Sequence, residues 1–311
     1  MPAADPTATL AGLAARGFVV VTGKGGVGKS TVSAVLARHL AASPGGGGSG
    51  RRVLVVEVDP RENLHQLLGA APSGGEIVDV GGGLSLQHLR PRAVVDRVIE
   101  ERIRIGAVVR KVQGSAVYEH FVDGAPGLKE LAILEHARRL LDEDRFDVVI
   151  LDAPATGHGV SMLRAPLLVS EVVEGGPFGR IAGEIAALVA DPERCAVAVV
   201  TQAEEMPVQE ALELRRAMAE QLDRRPDLLL VNGLYPAVPA DGVALAGAPA
   251  ELVDLWRRRR AVNEGELERL EREWPEGAAE RIELPLLPVA RGPELVAALG
   301  RCLGGRTGGT R

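Results

Sequence analysis

Gly23-Lys24-Gly25-Gly26-Val27-Gly28-Lys29-Ser30-Thr31 follows the short apolar run Phe18-Val19-Val20-Val21 and precedes a stretch with helical patterning. A buried strand, a glycine loop and a helix, in that order, are the parts of a phosphate site. The glycines at 23, 25, 26 and 28 admit backbone conformations closed to other residues, so successive N–H groups can turn toward one anion. A helix starting near Lys29 adds the positive end of its dipole. Lys29 supplies a full charge to the β- and γ-phosphates, Val27 contributes its N–H within the loop, the Ser30 hydroxyl is placed to ligand Mg²⁺, and Thr31 reaches the α-phosphate. The spacing Gly23-x-Gly25-x-x-Gly28 also fits a dinucleotide fingerprint, with Glu57 or Asp59 as the ribose acid. That reading gives no use to lysines at both 24 and 29 or to a Ser-Thr pair at the helix start.

Outward from the loop, apolar strands alternate with helices. Strands are expected at Val53 to Val58, Leu84 to Leu89, Val148 to Leu151, Ala196 to Thr201, Leu228 to Val231 and Ile282 to Leu284. Helices are expected at Thr31 to Ala42, Pro91 to Val112, Gly127 to Asp142, Pro207 to Gln221, Ala250 to Arg272 and Pro293 to Leu303. Ser43 to Gly50 is nearly pure glycine and reads as a flexible, exposed connection. Continuously apolar strands imply a mostly parallel, doubly wound α/β sheet covered on both faces. The expectation is one domain over residues 1–311, with a small helical insert at about 91–125 and a short variable segment at about 165–190. Ligands bind beyond the carboxyl ends of such strands, where the loop at Gly23, Asp59 and Asp152 converge.

Composition narrows the partners. A formal charge of −6 argues against broad nucleic-acid binding. Two distant cysteines make neither a disulfide framework nor a metal cluster, and fit the cytoplasm. No run reaches transmembrane length, and the first residues lack a signal-peptide pattern, so a soluble, unprocessed protein is expected. Aromatics form 3% of the chain, so the core should be built of small aliphatic side chains. Arg257 to Arg260 reads as a solvated helix face paired with Glu264, Glu266 and Glu268. His65, His88, His120 and His136 stand apart, with no metal spacing between them.

Two acids complete the chemistry. Asp152, at the end of a strand in Asp152-Ala153-Pro154-Ala155-Thr156-Gly157-His158, is suited to accept from the waters on Mg²⁺. Asp59, in Glu57-Val58-Asp59-Pro60, is suited to orient the water that attacks a γ-phosphate, with a share in the magnesium waters as its alternative. The Gly157 N–H is placed to sense the γ-phosphate.

The ordered set resembles the deviant-Walker-A ATPases, and within them the family of arsenite-pump ATPases and the tail-anchored-protein targeting factor. The matching segments are the nine-residue loop, Glu57 to Pro60 as switch I, Asp152 to His158 as switch II, Pro126-Gly127, Thr201 to Pro207, Val231-Asn232, and Leu284 to Pro288 with Arg291-Gly292. The resemblance implies an ATP-hydrolysing, Mg²⁺-dependent switch in a P-loop fold, with catalysis by Lys24, Asp59 and Lys29. It further implies that Lys24 crosses a homodimer interface to touch the partner's nucleotide, that Asn232 holds adenine, and that the segment containing Pro285 and Pro288 closes over the base. A protein client or membrane partner of unknown identity is implied as well. Arg61-Glu62 stands where Ala-His is common in the family, Ala153-Pro154-Ala155 where Thr-Ala-Pro is usual, and Ala203 where proline is expected. With two Cys and four Met, the chain has neither a metalloid-binding cysteine cluster nor a methionine-rich groove for a membrane helix. Competing classes are a ParA/MinD-like positioning ATPase that binds DNA or membrane, and a regulatory paralogue with little turnover.

Overall fold

A computed structural model describes residues 6–44, 50–102, 124–125, 127–154, 159–173, 175–237, 249–274 and 279–304. In chain order the elements are α1 (Pro6–Ala15), β1 (Phe18–Gly23), α2 (Lys29–Ala42), β2 (Val53–Glu57), α3 (Leu64–Leu68), β3 (Val78–Gly81), β4 (Leu84–His88) and α4 (Pro91–Arg102). They continue with α5 (Leu128–Asp142), β5 (Val148–Asp152), α6 (Gly159–Val172), α7 (Gly176–Ala190), β6 (Cys195–Thr201), α8 (Glu205–Leu222), β7 (Leu228–Leu234), α9 (Ala250–Glu273), β8 (Glu280–Pro285) and α10 (Pro293–Gly304).

One sheet of eight strands runs β3-β4-β2-β5-β1-β6-β7-β8. Every neighbouring pair is parallel except β3 with β4, an antiparallel hairpin at one edge. Because successive side chains on a strand point to opposite faces, each central strand feeds two cores. Phe18 and Val20 of β1 pack with Leu131, Leu134, Ile185 and other residues of α4 to α7. Val19 and Val21 pack with Val32, Val35 and Leu36 of α2 and with Val296, Leu299 and Leu303 of α10. A third cluster joins β6 and β7 to Val208 and Leu212 of α8 and Leu270 of α9. Phe18 is the one aromatic among the largest fully buried side chains of the described residues, which accords with a core of small aliphatic groups.

The doubly wound sheet expected from the sequence is present, and several elements add to it. The edge strand β3, α1 and the short α3 carry too little periodicity to read from sequence. The segment at about 165–190 holds two helices, α6 and α7, and Ile181, Ala182, Ile185 and Leu188 of α7 are buried against the sheet. Their lengths of 14 and 15 residues make this region part of the covering layer. The helix expected at Pro91 to Val112 is described only to Arg102; the rest, and most of the insert at 91–125, lie outside the described residues, as does 45–49 of the glycine connection. Pro44 and Gly50 form a bridge that brings the two ends of that connection together. Among the described residues, no helix is long and apolar enough to cross a membrane.

The order of strands reverses around β1, which lies between β5 and β6. That is the switch point at which an open α/β sheet leaves a crevice beyond its carboxyl ends. The loop after β1 opens into it.

Candidate nucleotide site

The loop's glycines are needed for two separate reasons. Gly23 has φ of 144°, and a Cβ there would sit 2.1 Å from the Val200 carbonyl oxygen of β6. Gly28 has φ of 90°, and a Cβ there would meet the Asn232 side-chain nitrogen at 2.3 Å. Both conformation and space therefore exclude a side chain. Gly26 is also at positive φ, with open space around it, and Gly25 is exposed.

Helix α2 starts at Lys29 with Gly28 as its N-cap and no side-chain cap. Its first N–H groups thus lack the partner that a serine or aspartate would provide, and they face the crevice. Lys29 is 6% exposed. Its Nζ donates to the Lys24 carbonyl at 2.9 Å. Burial pulls the Lys29 pKa below its ordinary value, opposed by the carboxylates of Asp152 and then Asp59. A desolvated ammonium held at a bare helix N-terminus is a site whose charge is matched to an anion. Val27 is buried beneath the loop, while Ser30 and Thr31 are half-buried on the first turn of α2.

Asp152 ends β5 at 4% exposure. Ser33 Oγ donates to its Oδ1 at 3.0 Å, and the Ser30 hydroxyl also bonds to it. Burial pushes its pKa up to about 6, against the pull of Ser30, Ser33 and Lys29. The hydroxyl expected to ligand Mg²⁺ and the acid expected to accept from its waters are therefore adjacent. Ser33 escaped the sequence reading, although its spacing of three from Ser30 puts both on one helix face.

Asp59 is half-buried at the tip of the loop between β2 and α3, and its Oδ1 accepts from the Arg61 N–H at 3.0 Å. Glu57 is fully buried, and its two carboxylate oxygens accept from Asn63 N at 2.8 and 2.9 Å, with Leu64 N at 3.2 Å from Oε2. That carboxylate caps the start of α3 and has no access to a ribose, which removes the structural basis for Glu57 in a dinucleotide reading. Burial raises its pKa to about 7, although the Asn63 and Leu64 amides pull it down.

Asn232 of β7 lies beside the loop, its Nδ2 donating to the Val27 carbonyl at 2.9 Å. With that nitrogen engaged, its Oδ1 remains as an acceptor. Pro285 ends β8 next to β7, Leu286 N donates to Leu234 O at 2.7 Å, and Pro288 is exposed just beyond. The adenine candidates thus lie on and just beyond two adjacent strands, with Asn232 bonded to the loop itself. Lys24 forms an ion pair with Glu210 of α8. Gly157 and His158 lie outside the described residues. Among the described residues, no three His, Cys, Asp or Glu side chains are grouped to hold a metal ion. A magnesium site here would draw on Ser30, on phosphate oxygens and on waters held by Asp152, a donor set that suits a hard cation retaining several waters.

The family description "Anion-transporting ATPase" matches residues 16–176. The chain is 30% identical over 229 residues to the ATPase BagA of Mycobacterium tuberculosis, covering 70% of this chain and 65% of that protein. It is 29% identical over 265 residues to an arsenical pump-driving ATPase of Acidiphilium multivorum, covering 78% of this chain and 42% of that one. An ATPase ASNA1 homolog 2 of Paramecium tetraurelia is 25% identical over 155 residues, covering 50% of this chain and 45% of that protein. The chain therefore spans about two thirds of the mycobacterial relative and less than half of the other two.

Proposed function

Because the chain belongs to the anion-transporting ATPase family, we propose that it binds ATP with Mg²⁺ and hydrolyses it as a homodimer, coupling hydrolysis to a conformational change that releases a client. The observation that carries this reading is the uncapped start of α2 together with the buried Lys29 and the Asp152–Ser33 pair beside Ser30. The N–H groups of the loop and of α2 would hold the triphosphate, with Lys29 balancing its charge. Magnesium, when bound, would supply charge neutralisation to the triphosphate. Ser30 would be its hydroxyl ligand, and Asp152 would accept from its waters. Asp59 would accept a hydrogen bond from the attacking water and so fix its direction. Lys24 of one protomer would reach the partner's nucleotide and neutralise the charge that develops on ADP as its bond to the γ-phosphorus breaks.

Asn232 would present Oδ1 to the adenine amino group, which donates, and oppose guanine, whose carbonyl accepts. Pro285 and Pro288 would cover the base. Gly157 would report the γ-phosphate through its N–H. The client is a protein or a membrane component of unknown identity, and the setting is the cytoplasm.

Titration calorimetry of wild type and Lys29→Ala with Mg-ATP tests the site. Micromolar binding in the wild type and none in the variant is expected; equal affinity in both would sink the assignment.

A further inference from the structure

We infer that His88 is a positioning residue for Asp59, presetting the loop that the proposed hydrolysis needs; the inference rests on the ATPase reading for its kinetic consequence. His88 ends β4 and is 4% exposed. Its ring Nε2 lies 2.7 Å from the Asp59 carbonyl oxygen. A carbonyl can only accept, so Nε2 carries the proton and donates. The backbone of His88 is fixed as well, since its N–H donates to Ser73 Oγ at 2.8 Å. Ser73 N in turn donates to the Glu62 carboxylate. A chain of bonds thus starts and ends in the segment 59–62 and passes through the end of β4.

The placement follows from sheet register. Glu57 pairs with His88 on one side and with Asp152 on the other. The carboxyl ends of three neighbouring strands therefore carry His88, Glu57 and Asp152 in a row. Glu57 fastens the far end of the loop to the start of α3 through the Asn63 and Leu64 amides. His88 fastens its near end at the Asp59 peptide. With its carbonyl taken by His88 and its Oδ1 by the Arg61 N–H, Asp59 has both backbone and side chain oriented before any ligand arrives. Orientation of this kind is where a group remote from the reacting atoms affects turnover, because small misplacements of an acceptor are costly in rate.

A buried histidine that only satisfies its own ring predicts a different outcome from one that sets Asp59. His88→Leu removes the donor at similar side-chain size, and His88→Gln restores an N–H at similar reach. In His88→Leu, kcat should fall about tenfold or more while the ATP dissociation constant stays within about threefold, and His88→Gln should recover most of the loss. Amide hydrogen exchange over residues 61–64 should be about tenfold faster in His88→Leu and return toward wild type in His88→Gln. If the wild type lacks turnover, the ATPase reading falls, and the exchange measurement alone still decides the anchor. Exchange unchanged in His88→Leu overturns the inference, as does a His88→Gln protein that exchanges as fast as His88→Leu. Should His88→Leu fail to fold, His88→Asn, too short to reach the carbonyl, takes its place under the same criteria.

Discussion

Nζ of Lys24 and Oε1 of Glu210 lie 2.6 Å apart, so the loop's first lysine is paired with α8 of its own chain. Both side chains are about a third exposed, and a pair of this kind is worth about 0 to 1 kcal/mol. It is weak enough to be exchanged for a nucleotide on a partner. Lys24→Ala should lower turnover at least about tenfold with nucleotide affinity largely spared. Glu210→Gln should raise turnover by about two- to fivefold, the range that such a pair allows. Steady-state kinetics with parallel calorimetry reads both, and wild-type turnover in Lys24→Ala would refute the role across the interface.

Gly28 and Asn232 form a single fitted contact. Gly28→Ala forces a Cβ onto the Asn232 nitrogen at a φ that disfavours any side chain, so ATP affinity should drop by about a hundredfold. Asn232→Ala keeps the loop glycine free but removes the brace on Val27. It should weaken ATP more than GTP, shrinking the preference by about tenfold. Competition binding with both nucleotides measures it.

Asp59→Asn keeps the shape of the switch loop and loses the acceptor charge. The variant should bind Mg-ATP about as tightly as wild type, turn over at least about a hundredfold more slowly, and accumulate as a dimer under ATP. A monomer under saturating ATP in multi-angle light scattering would count against the nucleotide-linked dimer. The same trap is suited to recovering the client from the native cell.

Glu57 sets a pH dependence whose sign is fixed. Its folded pKa is about 7, above the ordinary 4.5, because it is buried. Between those values the unfolded chain gives up its proton first, so stability is fully present below pH 4.5 and declines as pH rises toward 7. Asp152, raised to about 6 from 3.8, acts in the same direction over a lower window. For Glu57 the loss is on the order of 2 to 3 kcal/mol. Glu57→Gln, which replaces one acceptor by a donor facing backbone amides, should be less stable at pH 4.5 and lose less on going to pH 7.5. Denaturant midpoints of the two proteins across that range give the comparison.

Much of this was legible in the chain itself. Strands at Phe18, Val53, Val148 and Val197 read plainly because a parallel sheet buried on both faces leaves an uninterrupted apolar run. Asp59 and Asp152 stood out as acids directly after such runs. The helices α6 and α7 were not read, because Pro166 inside α6 and Gly175-Gly176-Pro177 at the start of α7 look like breaks, although Ile181, Ala182, Ile185 and Leu188 form a clear apolar face on α7. The roles of His88, read as an isolated histidine, and of Glu57, read as a possible ribose acid and as part of switch I, escaped for another reason. Their meaning lies in strand register, Glu57 opposite both His88 and Asp152, and register between β2 and β4 spans a connection whose path no local pattern fixes. Glu210 had no local signal, since its partner is the loop lysine far upstream.

The apolar side of α2, including Val32, Val35 and Leu36, is closed by Val296, Leu299 and Leu303 of α10. During synthesis the phosphate loop emerges early, yet the flank of its helix that faces α10 stays open until residue 303 has left the ribosome. A nascent chain halted before α10 would display that greasy flank to chaperones, so the layer that supports the phosphate loop is completed well after the loop itself is made.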